Sequence, residues 1–219
     1  MITVVIATYN EASNIESLLS KLKKYSVIIV DDNSPDGTAD IARKFSNVKV
    51  ITPETRLGIA MSYRLGFQEA LKLNPEYIIQ MDAGLTHNPD IIDGLVNSAR
   101  LNGYLLVYGT RFSKKLQLKS YRTLISLSAT FLMKFIGVNA SDVSCGFRCW
   151  SPALIQIILN KVWLSRRFAF QLETLKMSVD AVGNSRICGF PIEYKLTNSS
   201  FNLKTLIEAI WIYSIMLLS

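Results

Sequence analysis

The 219-residue chain is long enough for one domain with a proper hydrophobic core. Its 49% hydrophobic content and mean hydropathy of +0.24 are high for a soluble enzyme and point to surface kept for lipid. Charge is lopsided: residues 1–110 hold 10 Lys/Arg against 12 Asp/Glu, and residues 111–219 hold 14 against 5. That asymmetry suits an anionic partner or a membrane for the second half, and no nucleic-acid motif accompanies it. Three cysteines are too few and odd in number for a disulfide framework, and a single histidine argues against structural zinc. A reducing compartment is the default. The apolar run at 2–6 lacks a charged leader and breaks at Thr8-Tyr9-Asn10, so it does not read as a signal peptide.

In chain order, residues 2–7 read as a buried strand and 10–24 as a helix with Ile15, Leu18, Leu19 and Leu22 at helical spacing. A second strand at 26–30 ends in Asp31-Asp32, followed by the turn-rich run 33–38 and a short helix through Phe45. Strands are expected at 48–51, 77–81 and 104–108, with helices at 58–73 and 89–101 between them. This alternation predicts an α/β fold, a mostly parallel central sheet flanked by helices on both faces. After Arg111 the rhythm changes. Residues 111–141 carry six basic and no acidic residues around an apolar helix at 124–138. Such a segment lies at a membrane interface, or packs on the core behind a solvated basic loop. A short strand or turn at 145–150, helices at 152–159 and 168–179, and a strand at 185–192 follow. The last 15 residues form an apolar segment shorter than the ~20 residues a spanning helix needs. It fits an interfacial helix, a packed terminal helix or the start of a membrane segment.

The chemistry centres on residues 77–89, YIIQMDAGLTHNP. Open α/β sheets bind ligands at the carboxyl ends of their strands, and Asp82 stands at such an end. Asp82 then either caps a turn or presents its carboxylate to a ligand. Asp32 and Asp82 follow strands expected to be neighbours, and two converging carboxylates can hold a hard divalent cation together with phosphates. They can equally accept hydrogen bonds from a ribose or a base. No P-loop and no GxGxxG run is present, and nothing matches a hydrolase triad. What remains is a nucleotide held by acidic groups with cationic residues opposite.

The runs VVIATYNE (4–11), VDDNSPDGT (30–38), RLGIAMSYRLGF (56–67), MDAGLTHNP (81–89) and YGTRF (108–112) resemble the ordered signatures of inverting family-two glycosyltransferases. DVSCGFRCW (142–150), FQLE (170–173) and NSSFNLK (198–204) are similar to the branch containing dolichyl-phosphate mannose synthase and polyprenyl-phosphate glycosyltransferases. The resemblance implies an A-type glycosyltransferase fold, a single Rossmann-like nucleotide-binding domain. Its catalytic domain would be 1–204, with a nucleotide-sugar part to about 110 and an acceptor part beyond, then an apolar helix at 205–219. It implies Mg²⁺ or Mn²⁺ as cofactor, a GDP- or UDP-linked sugar as donor and a polyprenyl phosphate as acceptor. It also implies residence at the cytoplasmic face of a membrane, peripheral or anchored through the C-terminal segment.

By the same resemblance Ala7, Tyr9 and Glu11 line the base and ribose pocket, and Asp32 holds the nucleoside with Asp31 beside it. Asp82 and Ala83 lie along the diphosphate, Asp82 at the metal. Arg111, Arg122 and Arg148 face the donor and acceptor phosphates, joined by Lys204. A planar guanidinium grips phosphate in a bidentate way, which is an independent reason to single out arginines. One position departs from the family. The usual Asp-x-Asp is Asp82-Ala83-Gly84 here, with Thr86 two residues on, and losing a carboxylate weakens divalent-ion binding. Three explanations compete: metal held by Asp82, diphosphate and waters; a substitute such as His87; or a non-catalytic sugar-nucleotide-binding relative. The expected reaction is inverting displacement by a lipid phosphate, which at neutral pH needs no general base. A family-two transferase acting on a saccharide hydroxyl would need one, and Glu173 and Asp142 are the candidates.

Overall fold

A computed structural model describes residues 1–112, 121–193 and 203–218, except the side chains of Tyr121 and Arg122. Strand β1 (Ile2–Thr8) is β-branched almost throughout and forms the axis of one half of the sheet. It pairs in parallel with β2 (Ser26–Asp31) on one side and β4 (Tyr77–Gln80) on the other. Strand β3 (Val48–Ile51) extends the β2 edge. Beyond β4 come β6 (Arg148–Trp150), β5 (Leu106–Thr110) and β7 (Ile187–Pro191), giving the order β3-β2-β1-β4-β6-β5-β7. All pairings are parallel except those of β6, which runs antiparallel between β4 and β5. The mixed α/β architecture is as expected from the sequence. The strands bearing Asp32 and Asp82 are not neighbours, however: β1 lies between them, so the two acids flank its C-terminal end.

The helices are α1 (Ala12–Lys21), α2 (Thr38–Ala42), α3 (Ile59–Leu71), α4 (Ile92–Asn102), α5 (Tyr121–Phe135), α6 (Pro152–Leu159), α7 (Phe170–Val182) and α8 (Leu203–Leu218). Side chains alternate across a strand, and both faces of this sheet are covered, so neighbours such as Val4 and Val5 are both fully buried. Val5, Ile28 and Val30 pack with Tyr63, Phe67, Trp150 and Phe170 on one face. Val4, Ile6 and Ile29 pack with Ile15, Leu18, Leu19, Leu95 and Phe147 on the other. Each fully buried Leu, Val or Phe is worth roughly 1.5–3 kcal/mol against exposure.

Helices α5 and α8 depart from this pattern. Phe131, Phe135, Ile207, Ile210 and Trp211 are exposed, Phe135 by 67% and Trp211 by 51%. Only Thr205 and Ile212 of α8 are buried, and Tyr213 donates a hydrogen bond to the Leu132 carbonyl of α5. No helix among the described residues is long and apolar enough to cross a membrane.

Candidate active site

The site is built at the carboxyl ends of β1, β2 and β4. The turn after β1 and the loop after β2 are stitched together by three consecutive backbone amides. Asn10 donates to Ser34 Oγ (2.9 Å), Glu11 to Thr38 Oγ1 (2.9 Å) and Ala12 to Asp36 Oδ2 (3.0 Å). These would otherwise be orphan donors at the start of α1. The loop's run of Asn, Ser, Asp and Thr is thus scaffold, with Asn10 and Asn33 taking left-handed backbone angles of 59° and 62°. Asp31 belongs to the same scaffold: it is buried and accepts from Thr8 Oγ1 (2.8 Å), Ser34 N (3.0 Å) and Ser34 Oγ (2.7 Å).

Asp32 points elsewhere. Its carboxylate accepts the amides of Leu57 (2.6 Å) and Gly58 (3.0 Å), tying β2 to the turn before α3. Gly58 has φ +78°, and a Cβ there would stand 2.8 Å from the Arg166 carbonyl oxygen, so glycine is required twice over. Arg56 was not foreseen from the sequence. Its guanidinium stacks on the Tyr9 ring at 3.6 Å and its Nε is 3.8 Å from Asp32. Tyr9, Arg56 and Asp32 therefore form one surface, with ring, cation and carboxylate side by side, and Ala7 of β1, two residues before Tyr9, is partly exposed.

Asp82 follows β4, and its side chain keeps 31% exposure. Its backbone N–H donates to His87 Nδ1 (3.1 Å), and Tyr63 donates to the Met81 carbonyl (2.9 Å) with Asp82 Oδ1 3.4 Å away. Burial pushes the Tyr63 hydroxyl well above its usual range. A Cβ on Gly146 would stand 3.1 Å from Asp82 Oδ1 and 3.0 Å from Gln171 Nε2, so this glycine makes room for both groups. Gln171 is a second residue the sequence did not single out; it accepts from Gln80, which accepts from Trp150. Ala83 is buried behind Asp82.

A Cβ on Gly84 would lie 3.7 Å from Glu11 Oε1, so the Glu11 carboxyl faces the place where an acid at position 84 would begin. Burial raises the Glu11 pKa, with Asn14 opposing and the negative charges of Asp82 and Asp36 adding to the rise. Thr86 Oγ1 is buried and has no hydrogen-bond partner among the described residues. Those residues contain no group of three or more His, Cys, Asp or Glu arranged to hold a metal. Asp82 as a single, partly exposed carboxylate fits a cation that takes most of its oxygen ligands from substrate and water.

The arginines separate. Arg111 grips Asp142 through Nε (2.7 Å) and Nη2 (2.8 Å), and Nη2 also donates to Ser144 Oγ (2.6 Å). Arg148 corrects the expectation that it faces a phosphate. It is fully buried, and donates from Nε to the Cys145 carbonyl, from Nη1 to Thr174 Oγ1, and from Nη2 to the Val143 and Gln171 carbonyls. Burial lowers its pKa to about 10. Its donors hold the 143–148 turn against α7, which is a framework role. The Arg122 side chain lies outside the described residues, as do the basic stretch 113–120 and residues 198–202 of the NSSFNLK run. Lys204 is exposed in the first turn of α8. The two general-base candidates are both committed: Asp142 to Arg111, and Glu173, buried, to the amides of Leu164 (2.6 Å) and Ser165 (3.0 Å).

Residues 3–162 match the family described as Glycosyl transferase family 2. The chain is 34% identical over 154 residues to a dolichol-phosphate mannosyltransferase of Pyrococcus furiosus, a match covering 65% of this chain and 43% of that protein. It is 27% identical over 184 residues to an undecaprenyl-phosphate mannosyltransferase of Micrococcus luteus, covering 78% of this chain and 75% of the other. Among solved structures, mannosyl-3-phosphoglycerate synthase from Rubrobacter xylanophilus superposes with a TM-score of 0.78 at 13% identity, covering 100% of this chain and 72% of that one. Glucosyl-3-phosphoglycerate synthase from Mycobacterium tuberculosis, in complex with Mn²⁺, UDP-glucose and phosphoglyceric acid, superposes at 0.74 with 16% identity, covering 99% and 79%. The fold is the A-type glycosyltransferase fold, and the chain belongs to glycosyl transferase family 2.

Proposed function

We propose that this chain transfers a hexose, mannose first among the candidates, from a nucleoside-diphosphate sugar to the phosphate of a polyprenyl lipid with inversion at the anomeric carbon. The observation that carries this reading is the commitment of both general-base candidates. Asp142 is locked to Arg111, and Glu173 is buried on two backbone amides. A hydroxyl acceptor needs a base within reach of its proton, whereas a phosphate acceptor arrives already deprotonated. The exposed apolar faces of α5 and α8 supply a surface for the lipid or its membrane. The names of the relatives from Pyrococcus furiosus and Micrococcus luteus point the same way.

In this reading Tyr9 and Arg56 form a platform for the nucleoside, and Asp32 accepts its hydrogen bonds. Asp82 would be the protein's oxygen ligand for Mg²⁺ or Mn²⁺, with Thr86 Oγ1, four residues on, as an unpartnered hydroxyl among the described residues and the Glu11 carboxyl facing Gly84. The cation supplies charge neutralisation for the leaving diphosphate. Ala83 lies along the diphosphate. Arg111, held rigid by Asp142, contributes fixed positive charge, and Arg122 and Lys204 serve the acceptor side. Catalysis is then positioning and electrostatics, without proton transfer by the protein. The chain works at a membrane surface as a peripheral protein.

The test is transfer of labelled sugar into organic-extractable lipid by purified protein with polyprenyl phosphate and Mn²⁺ or Mg²⁺, across GDP- and UDP-linked sugars. Metal-dependent label in the lipid phase with one donor supports the reading and names the base. Label that appears only on added saccharide would overturn it.

A further inference from the structure

We propose that Glu208 is a positioning residue for the donor pocket, acting from the C-terminal helix through the 164–167 loop on the turn that holds Asp32. The inference rests on the reading of Asp32 as the residue that holds the nucleoside. Glu208 is the one acidic residue in α8, a helix that otherwise carries Lys204 and predominantly apolar side chains. A carboxylate on such a helix is kept at a cost in apolar surroundings unless it is hydrogen-bonded. Here both its oxygens are used. Oε1 accepts the backbone N–H of Arg166 (2.8 Å) and Arg167 (3.2 Å), and Oε2 accepts Arg167 (3.0 Å).

The two preceding amides, Leu164 and Ser165, go to Glu173 of α7. Four consecutive backbone donors are thus held by two carboxylates from two helices, which fixes the orientation of the peptide carbonyls between them. The Arg166 carbonyl emerges from this clasp toward α3. It accepts the Ala60 N–H at 3.4 Å and occupies the space a Gly58 side chain would need. Gly58 and Leu57 in turn donate to Asp32. The path is therefore Glu208, the Arg166 peptide, the 57–60 turn, Asp32, and each step is a direct contact. Glu173 is anchored within the buried face of α7, whereas α8 buries only Thr205 and Ile212. The Glu208 half of the clasp is accordingly the half that can release.

The experiment is calorimetric binding of GDP and UDP to the full chain, comparing wild type with Glu208→Ala, Glu208→Gln and Tyr213→Phe. Tyr213→Phe removes a different polar contact of α8, to the Leu132 carbonyl, without touching the loop. The expected result is a Kd weakened about tenfold in Glu208→Ala, a size typical of coupling between sites. Glu208→Gln should be intermediate and Tyr213→Phe unchanged. Faster hydrogen exchange at the Leu57 and Gly58 amides should accompany the loss in both Glu208 variants. A merely structural role would lower the melting temperature while leaving the Kd and those two amides alone, and that outcome overturns the proposal. If Glu208→Ala fails to fold, Glu208→Gln and its amide exchange decide the matter. Wild-type protein that binds neither nucleotide would instead overturn the reading of Asp32.

Discussion

His87 Nδ1 accepts the backbone N–H of Asp82 at 3.1 Å, while its Nε2 stands 3.7 Å from the same residue's carboxylate. One imidazole thus holds the backbone of Asp82 and stands close to its carboxylate. Accepting at Nδ1 requires the ring proton on Nε2, the tautomer that faces the carboxylate. The ring is buried and stacks on Phe147 with centroids 4.8 Å apart.

Burial depresses the His87 pKa below its ordinary value, with the charge of Asp82 opposing. The unfolded chain therefore binds a proton at His87 before the folded one does. The stability contributed by the neutral ring is full above the unfolded pKa of about 6.5 and is lost as pH falls below it. Melting temperatures measured between pH 7.5 and 5.5 should drop more steeply for wild type than for His87→Gln. Parallel curves would show that this ring is not the group responsible.

Gly84→Asp should fit, because a Cβ at 84 meets only Glu11 Oε1, at ordinary contact distance. The new carboxylate joins Glu11 and Asp82, so metal-free protein should melt lower through like-charge repulsion. Mn²⁺ should then bind about tenfold more tightly, one more charged oxygen ligand being available. The readout is thermal shift against Mn²⁺ concentration, where an unchanged midpoint would mean that Gly84 does not limit metal binding.

Arg148→Ala should be among the most damaging substitutions in the chain. It removes four hydrogen bonds and takes the guanidinium donor from the carbonyls of Val143 and Cys145, whereas the Gln171 carbonyl keeps its place in the α7 ladder. Buried acceptors left unsatisfied cost about 1–3 kcal/mol each, so a loss of about 3 kcal/mol or more is expected. Chemical denaturation measures it. A stable variant with impaired transfer would return Arg148 to the phosphates.

Asp82→Asn and Asp31→Asn should diverge although both acids stand at the carboxyl ends of parallel strands. Asp82 is partly exposed, so its change should lower transfer roughly 10²–10³-fold with little effect on melting. Asp31 accepts three donors in the scaffold, so its change should lower the melting temperature. Activity and melting curves on both variants separate the roles.

Phe131→Ser with Phe135→Ser removes an exposed aromatic pair whose rings meet edge to face at 5.0 Å. Sedimentation with anionic vesicles should fall several-fold, and binding of the wild type should weaken with salt. Equal sedimentation would remove this face from membrane contact.

Most elements could be read from the sequence because both sheet faces are buried, which writes continuous apolar strands between amphipathic helices. Strand order could not, since it depends on which edges meet in space; β1 between β2 and β4 leaves no local trace. The acids at 32 and 82 were legible from their places after strands. Arg148 was misread because its partners are main-chain carbonyls, invisible to side-chain patterns, and arginine is rarely buried whole. Arg56 was missed for a related reason: its partner, Tyr9, lies 47 positions away and meets it only once the sheet has formed. Glu173 and Asp142 stood out in the sequence as the available general-base candidates, and only the structure shows that their oxygens are already taken.

The antiparallel strand β6 has a consequence for how the molecule is made. Among the described residues it alone bridges β4 and β5, and the strands at 77–80 and 106–110 do not bond to one another. A ribosome must deliver residue 150 before the middle of the sheet can close. Until then the emerging chain presents two unpaired strand edges, the sort of exposure that favours aggregation and chaperone capture. A fragment ending near residue 110 should accordingly be a poor stand-in for the nucleotide-binding half, because its fifth strand would have no neighbour to join.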